Sequence, residues 1–494
     1  MPTAIFRADA GPIIGSGHVM RCLALAKVLS GAGWRCHFAS VDGVTNPIPA
    51  LTSSRFNCIE LPKDVSNQVV VLQNAFPEGV GLLVIDQYDL NIEFELACRS
   101  WANRIFVIDD LANRVHDADI LLDQTHGRSS EDYRCLVPRH CAIYTGARYA
   151  LIQPEFISTR AVALARRDSG TGSIKHILVT LGATDPEGVT SIILDGIRKS
   201  EIDATVDVVL GSWAPHTRII KTAAGRSPQM RGLVSTIEMA KLMTKADLAF
   251  GAGGTTSWER CCLGLPALLV TMSDNQVPIN RTLNRIGAIK HLGRSAVIDS
   301  FLVSKEIQTL IERPEQLKAM SKVARGICDG RGPLRILLLL VGSHLTRIGE
   351  KVSLRLMELE DEEMILAWQS SKDIRIYSRN KEVPDPVTHT AWMHREVHDP
   401  TCLPMVVQYR DSAAGLMRFN RTIDKEVEVS ILITPEYQGV GVATAALQLG
   451  KRVFPGCELW AKICPNNLPS IKSFTKAGYK ATKFVGWHKV SAEG

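Results

Sequence analysis

A histidine at the head of a helix can take a proton from water, and the segment RADAGPIIGSGHVMRCLALA places one there, at His18. Gly15 and Gly17 let the backbone pass close to a ligand. The free N–H groups at a helix start favour phosphate. The same positive end disfavours protonation of a nearby imidazole, so a neutral His18 is a candidate general base. Arg21 lies one turn on, within bidentate reach of a phosphate. The pattern also fits an ordinary strand–helix turn carrying a structural histidine.

A second glycine turn, FGAGGTTSWE, sets Gly253 and Gly254 between a strand and a helix. A second helix N-terminus can hold a pyrophosphate, and Glu259, about one turn in, can accept two ribose hydroxyls. Alone, this is helix capping. Paired with the first turn across a two-lobed cleft, it points to a nucleoside diphosphate ligand. A third turn, VSILITPEYQGVGVATAAL, carries Gln438, Gly441 and Ala443 in the spacing Q-x-x-G-x-A. That is a tight turn whose backbone N–H groups face a pyrophosphate with a helix dipole behind it.

The elements that position these turns alternate. Short apolar runs at 4–6, 35–39, 82–85, 105–108 and 120–122 are separated by helix-capable stretches, as in a parallel sheet covered on both faces. After the polar stretch 166–173 the pattern restarts, with strands at 176–180, 206–210, 247–250 and 268–271 and helices at 189–197 and 255–263. Near residue 345 it changes. Strands at 353–356, 406–409, 414–419 and 427–433 follow one another as in an antiparallel sheet, and helices at 442–450 and 470–477 flank a strand at 458–463. The reading is α/β: two Rossmann-like lobes, 1–165 and 166–345, followed by an α+β domain, 352–494.

Composition narrows the function classes. A net charge of +6 spread over 494 residues, with no basic run interleaved with aromatics, argues against a nucleic-acid partner. The longest apolar run, 336–341, is far short of the roughly 20 residues a membrane span needs. Twelve dispersed cysteines without a CxxC pair, and an N-terminus without an apolar signal core, fit a reduced cytoplasmic protein. His394 and His398 share a helix face but lack a third ligand, Cys261 and Cys262 read as core thiols, and no metal is expected.

The ordered motifs IGSGHVMRCLALA, IDQY, YALIQPEF, LGATDP, GAGGTTSWERCCLGLP and DNQ, over residues 1–345, resemble the UDP-sugar hydrolases of pseudaminic acid biosynthesis. That resemblance implies a two-lobed GT-B-like architecture and cleavage of UDP from UDP-2,4-diacetamido-2,4,6-trideoxy-β-L-altropyranose, inverting, by C–O cleavage. It implies that His18 deprotonates the attacking water and that Gly253, Gly254, Thr255 and Ser257 lie near the phosphates. It also implies that Glu259 holds the ribose, and that Tyr88, Asn275 and Gln276 line the sugar and water site. Tyr88 also reads as a half-buried surface tyrosine and Asn275 as a turn residue. A GT-B glycosyltransferase would share fold and UDP site and differ in its acceptor.

The third turn, with NNLPSIKSFTKAGYK downstream, resembles the GNAT N-acetyltransferases over residues 353–490, on Asn467, Ser470, Gly478 and Tyr479. The family implies acetyl-CoA as co-substrate. Its pantetheine arm would lie on Ile431, Leu432 and Ile433, and its pyrophosphate on Gln438, Gly439, Gly441, Ala443 and Thr444, with Asn467 nearby. Phe474 stands where many members carry the tyrosine that protonates the leaving thiolate. Glu426 and Glu428 are candidate bases, or a solvated strand face. In the pseudaminic pathway an N-acetyltransferase acts one step before the hydrolase, so the tethered domain is expected to make what the N-terminal part cleaves. A legionaminic-type sugar, or a CoA-fold domain that only binds, are the other readings.

Overall fold

A computed structural model describes residues 2–12, 14–41, 48–170, 172–182, 185–211, 213–214, 230–234, 236, 238–399, 401–423, 426–482 and 488–493. Ile13 of the first loop, Thr171, and Ala183 and Thr184 of the LGATDP segment lie outside the described residues. The chain divides into two compact units, one of Thr3–Lys27 with Cys36–Pro333, the other mainly Leu334–Gly494.

The first unit holds two sheets. One is built from β1 (Thr3–Ala8), β2 (Arg35–Val41), β3 (Asn57–Leu61), β4 (Leu82–Asp86), β5 (Ile105–Ile108), β6 (Ile120–Asp123) and β7 (Ala142–Thr145), in the order β3-β2-β1-β4-β5-β6-β7. Its central strands β4 and β5 are buried residue by residue, the pattern expected of a parallel sheet covered on both faces. The other contains β8 (His176–Thr180), β9 (Thr205–Leu210), β10 (Met230–Val234), β11 (Leu248–Ala252), β12 (Ala267–Thr271) and β13 (Lys290–Arg294), in the order β10-β9-β8-β11-β12-β13. Both sheets have the doubly wound order, which reverses direction between the first and fourth strands. Ligands of such sheets bind outside the strands' carboxyl ends at that reversal. His18 follows β1 and Tyr88 follows β4. The Gly253–Gly254 turn follows β11, beside the loop after β8.

The polar stretch from Arg166 begins as the last turn of the helix Pro154–Ser169, so the expected boundary at 165/166 cuts that helix. Its Phe156 and Ala163 belong to the core on one face of the second sheet, with Leu178, Trp258, Cys261 and Cys262, while its Arg160 and Arg167 donate to backbone carbonyls of that lobe. Strands β3, β10 and β13 carry no apolar run. β3 is mostly exposed, and β13 (KHLGR) buries only its leucine.

The second unit has one sheet, of β14 (Ser343–Leu345), β15 (Lys351–Leu356), β16 (Cys402–Tyr409), β17 (Ser412–Ile423), β18 (Glu426–Ile433), β19 (Glu458–Ile463), β20 (Lys480–Thr482) and β21 (His488–Glu493). The order is β14-β15-β16-β17-β18-β19-β21-β20. The strands from β15 to β18 are antiparallel neighbours, whereas β18 and β19 run parallel. That parallel pairing covers only Glu426–Glu428 against Glu458–Trp460. Beyond Glu428 the two strands part, and Val429–Ile433 pair on one side alone, with β17.

Candidate active sites

The first glycine turn is pinned by its own backbone: Gly11 and Gly15 exchange two N–H···O bonds, and Gly15 takes φ +73°. Asp9 ties together the ends of three strands. It accepts from the Val41 N–H (2.8 Å) and the Gln87 amide (2.6 Å), and pairs with Arg7. His18, the second residue of the helix Gly17–Gly31, is therefore held beside the end of β4.

There, two groups absent from the sequence expectation complete the site. Asp86, the last residue of β4, sits 2.6 Å from His18 Nδ1. It also takes a fork from Arg21, at 2.5 Å from Nε and 2.6 Å from Nη2. Arg21 Nη1 donates to Asp110 (2.8 Å), which accepts from the Tyr88 hydroxyl at 2.7 Å. The Tyr88 ring meets His18 edge-on, with centroids 4.7 Å apart. Burial alone would raise the Asp86 carboxyl, but the charges and hydrogen bonds of Arg21 and His18 hold it well below the usual carboxylate range. Asp110 is lowered for the same reason, burial being outweighed chiefly by Arg21. In the tautomer that donates its Nδ1–H to Asp86, the lone pair of His18 lies on Nε2.

Arg21 thus differs from its expected role. All three of its nitrogens bond carboxylates and its side chain is buried, so it fastens Asp86 and Asp110 instead of reaching a phosphate. Asp86 stands in the IDQY motif, and Asp109–Asp110 follow β5 directly. A carboxylate at the carboxyl end of each of two neighbouring strands was the available signal.

Across the same unit, the second turn faces the first: a Cβ on Gly17 would lie 3.6 Å from the Thr255 hydroxyl. Gly254 has φ +127°, open to glycine alone in practice, and a side chain on Gly253 would strike Asn280 at 2.7 Å. Thr255 opens the helix Thr255–Cys262. Ser257 does not face the turn's mouth. It is buried, and its hydroxyl accepts from Arg260 Nη2 at 3.2 Å, so the helix points it inward. Glu259 is 8% exposed, and burial pushes its carboxyl up to about 7, with Arg260 opposing and Glu155 adding to the shift. Asn275 reaches the Tyr88 hydroxyl at 3.5 Å, bringing the DNQ turn to the His18 cluster. The Gln276 side-chain oxygen holds the Met272 N–H (2.9 Å), which fixes that turn.

In the second unit the turn after β18 runs through Gly439 (φ +80°) and Gly441 (φ +96°) into the helix Val442–Val453. Ala443 and Thr444, in its first turn, are half-buried. Ile431 and Leu432 are half-buried and Ile433 buried on the stretch of β18 that β19 leaves unpaired. Two residues turn out to be braces. Gln438 donates its amide to the Ile433 carbonyl (2.9 Å), closing the loop, and Asn467 caps the helix Leu468–Lys476 by accepting from the Ser470 N–H. Phe474 is buried edge-on against Tyr479, whose hydroxyl is buried without a partner among the described residues. Glu428 pairs with Arg379, so an incoming amine must compete for it. His394 and His398 stack on the helix Pro386–His398, and among the described residues no cluster of three or more His, Cys, Asp or Glu side chains is set to hold a metal ion. No described helix is long and apolar enough to cross a membrane.

Residues 351–480 match the family described as acetyltransferase (GNAT) domain. The chain is similar to the spore coat polysaccharide biosynthesis protein SpsG of Bacillus subtilis, at 25% identity over 345 residues, covering 69% of this chain and 98% of that one. It is 27% identical over 248 residues to the UDP-2,4-diacetamido-2,4,6-trideoxy-beta-L-altropyranose hydrolase of Campylobacter jejuni, covering 49% of this chain and 82% of the relative. Among solved structures, MurG of Acinetobacter baumannii aligns with a TM-score of 0.51 at 14% identity, covering 69% of this chain and 99% of MurG. The N-terminal region therefore has the GT-B-type fold of MurG and is homologous to the altropyranose hydrolase and SpsG, and it is fused to a GNAT acetyltransferase domain.

Proposed function

We propose that this fusion carries out two consecutive steps on one UDP-linked sugar. Residues 352–494 acetylate the 4-amino group of the precursor with acetyl-CoA. Residues 1–345 then hydrolyse UDP from the resulting UDP-2,4-diacetamido-2,4,6-trideoxy-β-L-altropyranose. The observation that carries the hydrolytic reading is the His18–Asp86 pair, with Tyr88 and Asn275 beside it, facing the Gly253–Gly254 turn.

In this reading the uridine ribose bonds Glu259, and the diphosphate rests on the N–H groups at the start of the helix Thr255–Cys262, whose dipole favours negative charge. Water between His18 and the anomeric carbon loses a proton to Nε2 as its oxygen attacks C1. The C1–O bond to the diphosphate breaks, UDP leaves with the electron pair, and the sugar inverts. Asp86 balances the imidazolium charge, as the orienting carboxylate of a nucleophile–base–carboxylate triad does. Negative charge grows on the leaving diphosphate, so the helix end stabilises the transition state more than the ground state.

For acetyl transfer, the gap where β18 leaves β19 fits a thioester arm, and the positive-φ glycines of the following turn fit a pyrophosphate against backbone. Acetyl-CoA supplies the activated acyl group. The sugar amine attacks its carbonyl, the C–S bond breaks, and CoA leaves as the thiol after taking up the proton lost by nitrogen. Ile431–Ile433 and Gly439–Thr444 would hold the cofactor, and Glu428, once released from Arg379, would first take a proton from the ammonium form so that the neutral amine can attack.

Hydrolysis in ¹⁸O-water tests the first half. The label is expected on the sugar, with inverted anomeric configuration by NMR. Label in UDP would overturn C–O cleavage, and transfer of the sugar to an added hydroxyl acceptor in preference to water would favour a glycosyltransferase.

A further inference from the structure

Behind the second glycine turn lies a charge that the reactions above do not use. Arg260 is 2% exposed. Its Nη2 donates to the Ala252 carbonyl (2.7 Å) and the Ser257 hydroxyl. Its Nε and Nη1 are buried and have no hydrogen-bond partner among the described residues. A buried guanidinium with two idle nitrogens and no carboxylate ion pair is costly unless an opposite charge answers it. Burial accordingly lowers it to about 10, against the opposing influence of Cys261 and Glu259.

A second observation shows that the position is built. Gly251, at the end of β11, would place a Cβ 2.4 Å from Arg260 Nη1 and 3.1 Å from its Cζ. Its φ does not require glycine, so the missing side chain serves as a notch in which the guanidinium lies. Arg260 therefore sits at the carboxyl end of β11, directly beneath the turn 251–254, shielded from any ligand by that turn's own backbone. At that edge of a doubly wound sheet the expected ligand is an anion.

We propose that Arg260 is the fixed countercharge of the nucleotide's diphosphate, a positioning residue that acts through the 251–254 turn and touches no substrate atom. The inference rests on the diphosphate reading given above. A point charge sealed from water acts over several ångströms with little screening. It adds to the helix end without adding a donor that must be desolvated on binding.

The test is calorimetric titration of the full chain with UDP and, separately, with uridine, which lacks the phosphates. Arg260→Met is expected to weaken UDP about tenfold, or ~1.4 kcal/mol, and to leave uridine unchanged. Arg260→Lys keeps the charge and is expected to retain most of the UDP affinity. Gly251→Ala keeps the charge but displaces it, and is expected to fall between. Unchanged UDP affinity in folded Arg260→Met overturns the proposal, and so does a parallel loss for UDP and uridine, which marks a purely structural role. Should Arg260→Met not fold, Gly251→Ala decides: unchanged UDP affinity in that variant, or a parallel loss for UDP and uridine, overturns the proposal. Wild-type protein that binds uridine as tightly as UDP refutes the diphosphate reading itself, and the inference with it.

Discussion

Glu259 is a buried carboxyl group without a hydrogen-bond donor among the described residues, and its titration should report nucleotide binding directly. Burial raises it from 4.5 to about 7 in the ligand-free protein. The sign follows from linkage. The folded state binds the proton more tightly than the unfolded state, so the penalty is absent below about 4.5, grows as pH rises, and is complete above about 7. A shift of that size corresponds to roughly 3 kcal/mol of folding stability. Accepting two ribose hydroxyls requires the ionised form. That form is about one tenth populated at pH 6 and about nine tenths at pH 8, so nucleotide affinity should rise about tenfold between them. UDP itself is a poor probe, because its terminal phosphate titrates near pH 6, by analogy with other phosphate monoesters. UDP-glucose, a diester, avoids this. Titration of UDP-glucose calorimetrically at pH 6, 7 and 8 should show the rise in wild-type protein and none in Glu259→Gln, which should bind weakly throughout. Flat wild-type affinity, or a pH slope surviving in Glu259→Gln, would refute the reasoning.

Three further outcomes are expected. His18→Ala should abolish UDP release while acetyl-CoA-dependent thiol release continues, as a two-activity assay would show; loss of both in a folded variant would contradict separate sites. Asp86→Asn should lower the UDP-release rate by about three orders of magnitude or more, because the imidazole loses its orienting carboxylate. The same change removes one of the two acids that Arg21 bonds and should cost roughly 3–5 kcal/mol in denaturant melts; an unaltered melt would show that Asp110 alone suffices for Arg21. Gly441→Ala should weaken CoA binding about tenfold without affecting UDP release. The added methyl has room, with its nearest neighbours 3.7 Å away, but φ +96° strains any residue other than glycine.

What the sequence shows readily is local. Glycine turns between a strand and a helix, and the histidine or glutamate at the helix start, depend on residues a few positions apart, and the structure places His18, Gly253, Gly254 and Glu259 on such junctions. What it hides is contact between distant segments. Asp86 and Asp110 lie 65 and 89 positions from Arg21, so nothing beside Arg21 shows that carboxylates claim its guanidinium. The family resemblance makes Ser257 a ligand contact and spacing makes Gln438 one, yet helix phase turns the first inward and a strand-end carbonyl captures the second. Edge strands such as β13 are illegible for another reason: with one side unpaired and few buried positions, they need no apolar run. The end of the helix Pro154–Ser169 reads as a polar stretch because Arg166 and Arg167 lie in its last turn, where one pairs with Asp247 and the other donates to the Met243 carbonyl.

Whether one chain makes and then cleaves the same sugar nucleotide is tested by supplying the purified 494-residue protein with acetyl-CoA and the UDP-linked 4-amino sugar and following free thiol and UDP together. Thiol should appear first and UDP after it in matching amount, with no UDP when acetyl-CoA is omitted. UDP released without acetyl-CoA, or thiol released with no UDP following, would contradict it.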